Sequence, residues 1–137
     1  MASVLYNSFK FDQFSNPINL ETDTLKAMLV TSAYAPDVDA HNRRDDITNE
    51  VVGTGYVAGG EAITCTVTQD NGANKAVATF DDVVWETSSI TARGAVIYKS
   101  TGVAANDQLI GYIDFGSDKT SVGSDFTLHL TAPLDLT

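Results

Sequence analysis

Between Ile63 and Thr68 the chain alternates strictly, with Ile63, Cys65 and Val67 on one side and Thr64, Thr66 and Thr68 on the other. A period of two marks a half-buried β-strand, because successive side chains of an extended backbone point to opposite faces. The pattern returns near the end of the chain, where Phe126, Leu128 and Leu130 alternate with Asp125, Thr127, His129 and Thr131. Between these stretches lie β-branched and aromatic runs punctuated by Gly, Asn and Asp, the punctuation of an antiparallel sheet protein.

The spacing predicts strands over 24–32, 61–69, 75–80, 83–85, 90–100, 108–115 and 125–131. Asp70-Asn71-Gly72 should close a hairpin between the second and third of these, since Asn and Gly tolerate positive φ. Residues 36–49 are polar and carry Pro36, His41 and the cluster Arg43-Arg44-Asp45-Asp46, which fits a surface loop with one helical turn. Residues 53–60, with four glycines around Tyr56, read as a bent entry into a strand. About seven strands joined by short turns imply an all-β antiparallel sandwich, jelly-roll or immunoglobulin-like in strand order. The segment 1–16, with Leu5, Phe9 and Phe11 as apolar anchors, fits neither period and is expected to be a short helix or an N-terminal arm.

At 137 residues the chain makes one domain, 1–137, with a single core. No apolar run approaches the length of a membrane span, and Met1-Ala2-Ser3 does not begin a secretory signal, so a soluble protein folded in a cytoplasm is expected. With 18 acidic against 8 basic residues the net charge is −10, which disfavours nucleic acid and suits either solubility or a basic partner surface. Cys65 is the only cysteine, so an intrachain disulfide and a multi-cysteine zinc site are both excluded.

No set of residues assembles into catalytic machinery. Residues 53–60 lack the Lys-Ser or Lys-Thr of a phosphate loop, and no Gly-x-Ser-x-Gly occurs. Asp37, Asp39, Asp45 and Asp46 have the chemistry of a hard-cation site but not the glycine and terminal glutamate of a calcium loop. Asp81, Asp82 and Glu86 could pair as in a glycosidase, although such pairs arise by chance in so acidic a chain. His41 and His129 show no metal-ligand spacing. Arg93, between Ala92 and Gly94, should form an ion pair with Asp82 or Asp114. Trp85 should anchor one end of the core. The expectation is a protein without catalytic residues, cofactor or metal.

The order Tyr6-Asn7-Ser8-Phe9-Lys10, then Thr22 to Leu29, Gly53 to Gly60, Phe80-Asp81-Asp82-Val83-Val84-Trp85, Ile90 to Lys99 and Ile113-Asp114-Phe115-Gly116 resembles a family of small virion structural proteins of tailed bacteriophages. The resemblance covers nearly the whole chain, through motifs that are individually weak. It implies a non-enzymatic part of the particle, made in the host bacterial cytoplasm, and most resembles a head decoration or cement protein. Its partner would then be the major capsid protein or another virion protein, with homo-oligomers on the particle. Leu5, Phe9 and Phe11 of the arm, Arg43 and Arg44 of the polar loop, and Arg93 are the candidate interface residues. Deleting residues 1–16 should then weaken incorporation more than it destabilises the fold. The alternatives are a tail, neck or fibre-attachment component, and a carbohydrate-binding module stacking sugars on Tyr34, Tyr56 and Trp85.

Overall fold

The computed structural model describes residues 2–130 and 134–136. Its elements in chain order are β1 (Ala2–Leu5), α1 (Asn7–Ser15), β2 (Leu25–Val30), β3 (Glu61–Ile63), β4 (Cys65–Asp70), β5 (Lys75–Phe80), β6 (Val83–Ser88), β7 (Thr91–Lys99), β8 (Leu109–Thr120), β9 (Ser124–Leu128) and β10 (Leu134–Leu136). One-turn 3₁₀ helices occupy Arg44–Asp46 and Ala104–Asn106. Five strands form the large sheet, in the order β1-β8-β7-β2-β3, and two smaller sheets, β10-β5-β4 and β6-β9, complete the body. Every strand pair is antiparallel. The all-β, sandwich-like class expected from the alternation is the one observed.

The large sheet is buried on both faces because its central strands are apolar at consecutive positions. Leu25, Ala27 and Leu29 of β2 join the main core, which reaches Phe80, Trp85, Phe126 and Leu128 of the smaller sheets. Met28 and Val30 face the other way, into a second cluster with Tyr6, Tyr34, Val96, Tyr98 and Tyr112, and Ile47 of the polar loop packs on it. The 36–49 segment therefore covers a sheet face, with the expected helical turn at Arg44–Asp46.

The stretch from Glu61 to Gln69 is not one strand. β3 pairs with β2 in the large sheet while β4 pairs with β5 in a smaller one, and the chain changes sheets at Thr64. Strands that pass between packed sheets bend at such corners. Ile63 is accordingly buried, Cys65 half-buried and Val67 38% exposed, so the apolar alternation runs out of the core rather than along it. Gly60 makes the approach to this corner possible: its φ is +81°, and a Cβ there would lie 1.8 Å from the Ala27 carbonyl oxygen.

Two turns differ from expectation. The loop between β4 and β5 spans residues 71–74, and the left-handed residue is Asn74, φ 55°, rather than Asn71 or Gly72. Asp70 Oδ1 accepts the Ala73 amide and steadies the loop. Residues 116–120, expected in a polar turn, continue β8 past a bulge: Gly94 pairs with Asp114 and Ala92 with Lys119, so the β8 side carries extra residues there. Polarity did not end the strand because its distal part is exposed. Thr131, assigned to the last strand from its pattern, lies outside the described residues.

The N-terminal segment is built into the body instead of extending from it. β1 pairs with β8, Tyr6 is fully buried, and in α1 Phe9 and Asp12 face inward at helical spacing. Of the two forms expected for this segment, the short helix is the one observed, and deleting residues 1–16 would strip a strand and core side chains.

Candidate functional site

The candidate interface residues fall into two groups. Around α1, Phe9 is 3% exposed and packs in the chain's own core, so it is a core residue and not a contact for a partner. Leu5 is half-buried against the same core. Phe11 is 69% exposed and Phe14, which the sequence reading passed over, is 97% exposed. The two are three residues apart, hence neighbours on the outer face of α1, opposite Phe9 and Asp12. The signal for Phe14 was present in that spacing once the segment is recognised as a helix.

The arginines are engaged within the chain. Arg93 Nε donates to Asp114 Oδ1 at 3.0 Å, one of the two partners expected for it, across the β7–β8 ladder. Arg43 reaches Asp12 at 3.4 Å and ties the polar loop to α1. Arg44 donates to the fully buried Asp107 at 2.7 Å, and its guanidinium lies over the Tyr98 ring, 5.4 Å from the centroid. Burial opposes ionisation of Asp107, but hydrogen bonds from the Thr101 hydroxyl and amide and from Arg44 overcome it and hold the carboxyl below its usual range. Asp107 thus pins the 101–107 turn to the polar loop, a role no sequence pattern announced.

A second polar chain runs under that loop. The Asp37 amide donates to His41 Nδ1 at 3.2 Å. The Tyr34 hydroxyl lies 3.0 Å from the same nitrogen and 2.7 Å from the Tyr6 hydroxyl, so the three side chains are linked in one hydrogen-bonded chain. Burial pushes both phenols above the ordinary tyrosine range. Nearby, Glu50 Oε2 accepts from the Tyr56 hydroxyl and the Gly59 amide, while the Tyr56 oxygen accepts the Leu29 amide and the Tyr98 hydroxyl donates to Gly59. The glycine-rich stretch is therefore clamped to β2 and β7, and its glycines serve close backbone approach.

Several of the carboxylates and one histidine hold local structure. Asp37 caps the amides of Ala40 and Asp39, and Asp46 those of Asn42 and Arg43; these bonds hold both carboxyls below the usual range. Among the described residues no group of three or more His, Cys, Asp or Glu side chains is arranged to hold a metal ion. Asp81 accepts the Thr64 hydroxyl, and Asp82 pairs with His129 at 2.9 Å on an exposed surface. Burial pushes the Cys65 thiol up to about 11, which leaves it an unreactive apolar filler. Tyr34 and Trp85 are 4% and 1% exposed and Tyr56 is half-buried, so these three rings do not form a sugar-stacking platform. No helix among the described residues is long and apolar enough to cross a membrane.

Compared with protein-family models, with curated proteins and with solved structures, the chain matches none.

Proposed function

We propose that this chain is a non-enzymatic structural protein of a tailed-bacteriophage virion, a capsid decoration or cement protein that binds the major capsid lattice. The ordered motifs from Tyr6 to Gly116 that resemble such proteins supply the class. The observation that carries the reading is the pair Phe11 and Phe14, exposed on a helix whose opposite face is fastened by Phe9, Asp12 and the Asp12–Arg43 pair. An apolar contact held on a rigid support loses little conformational freedom on docking. Many copies on a lattice would multiply a modest contact, because a copy that grips one subunit presents its second contact at high effective concentration. The exposed carboxylates that remain suit a capsid surface with complementary basic groups.

The test is cryo-electron microscopy of the particle encoded with this chain, alongside particles carrying Phe11→Ala and Phe14→Ala together. Density spread over the capsid lattice, with α1 at the contact and occupancy reduced in the double variant, supports the proposal. Density confined to the neck or tail replaces cement with a tail, neck or fibre-attachment role. Absence from the particle removes the virion reading altogether.

A further inference from the structure

A sheet edge is a row of unpaired amides and carbonyls, and natural proteins guard such edges with short strands, charges, prolines or bulges. This chain guards most of its own. The outer strands β1, β3 and β10 run for four, three and three residues. The β6–β9 ladder is interrupted by a register shift between Trp85 and Ser88, and its strands carry Glu86 and Asp125. β4 is the exception: it is six residues long, pairs only with β5 among the described residues, and its ladder with β5 runs without a shift. It holds no proline, and its one charge, Asp70, sits at the hairpin end opposite Lys75 in the register.

The pattern of ladder bonds says which groups are free. Thr64 accepts the Asp81 amide, and the β4–β5 register then places Thr66, Thr68 and Asp70 at the positions that exchange bonds with β5. The amides and carbonyls of Cys65, Val67 and Gln69 therefore point away from β5, toward the open edge. These three positions are symmetric about Val67. Two β4 strands related by a two-fold axis at Val67 would set Val67 opposite Val67 and Cys65 opposite Gln69, with about six backbone hydrogen bonds between them. Thr66 would fall opposite Thr68 at the closer, non-bonded positions, where Thr–Thr pairs are favourable. The chain already makes such a pair internally, between the Thr91 and Thr120 hydroxyls at 2.9 Å on β7 and β8.

The surroundings favour a second copy as the occupant. The centre of this pairing, Thr66, Val67 and Thr68, brings no charges together, and the carboxylates that do approach, Asp70 of one copy and Asp81 beside Thr64 of the other, lie at the two ends of the ladder, where solvent ions screen them. Val67 also lines a groove of about 420 Å³ whose half-buried walls include Leu5, Leu20, Ala76 and Val77, so the apolar side of the new ladder would continue an apolar surface. We infer that the chain forms a two-fold dimer by antiparallel pairing of β4 with β4 of a second copy, joining the two β10-β5-β4 sheets into one. This does not depend on the virion reading, since it concerns the isolated chain.

The experiment is sedimentation velocity on the purified chain across a concentration series at low and high sodium chloride. A concentration-dependent dimer is expected, strengthened by salt because screening relieves the repulsion between the acidic bodies. Val67→Pro removes an outward amide that β5 does not use and should raise the dimer dissociation constant about tenfold or more. Val67→Cys should give a covalent dimer under mild oxidation, since paired Cα atoms about 5.5 Å apart suit a disulfide, whereas Glu61→Cys should not. Circular dichroism checks that each variant is folded, and Val67→Lys replaces the proline variant if that one is not. A monomer under all conditions overturns the inference. So does a dimer that survives Val67→Lys or fails to cross-link through Val67→Cys.

Discussion

Replacing Phe9 with Ala separates the two faces of α1 and tests whether the N-terminal segment belongs to the core. Phe9 is 3% exposed and shares its cluster with Ile18 and Ile110. Phe→Ala in a core costs about 3 to 5 kcal/mol, from lost transfer energy and the cavity left behind. The groove beside Phe9 lets the site relax and hydrate, which favours the lower end, about 3 kcal/mol. For a domain of this size that lowers Tm by about 10 °C. Phe11 and Phe14 are 69% and 97% exposed, so Phe11→Ala and Phe14→Ala should each stay within about 0.5 kcal/mol of the parent. Urea unfolding followed by the fluorescence of Trp85, itself 1% exposed, measures all three. A loss under about 1 kcal/mol for Phe9→Ala, or a loss of similar size for Phe14→Ala, would refute the assignment of faces. If the proposed virion role holds, thermal stability and occupancy on the particle should separate: Phe9→Ala lowers the first, and the outer pair lowers the second.

Asp107 should govern part of the acid limb of stability. Its folded pKa lies below the ordinary 3.8, so its contribution is complete above that value and disappears as pH falls through the folded pKa. Asp107→Asn should cost about 2 kcal/mol at pH 7, discounted from a fully buried pair because Arg44 is partly solvated. Urea unfolding near pH 3 should show a smaller difference, and an equal difference at both pH values would contradict the charge-based account. Gly60→Ala would push a methyl group into the Ala27 carbonyl at positive φ, so a loss of more than about 3 kcal/mol is expected, or failure to accumulate folded protein. Near-parental stability in a thermal melt would show that the approach of Gly60 to β2 is looser than described.

Much of the architecture was legible because burial writes itself into side-chain period. β5, from Lys75 to Phe80, has the bounds its alternation predicts, and Trp85 lies in the core as its apolar neighbours suggested. The Arg93–Asp114 pair was among the expected partners because the small neighbours Ala92 and Gly94 leave the guanidinium room to fold back onto an acid of its own chain. The corner at Thr64 was not legible: an alternating run looks the same whether it remains in one sheet or crosses to another. The choice between helix and arm at the N-terminus was not legible for a related reason, since α1 carries Phe on both faces and so shows no clean apolar stripe.

For the candidate sites the division is sharper. The sequence by itself determined the inventory: an acidic chain with one cysteine, whose alternation and turn residues give the all-β class. Only the tertiary structure decided which groups are available. It buries Phe9, exposes Phe14, couples Arg44 to Asp107 from 63 positions away, and leaves the outward amides of β4 unpaired among the described residues. The physical reason is that composition and period report what each residue prefers, whereas availability depends on which distant backbone or side chain has already claimed it. That claim is made only when the sheets pack.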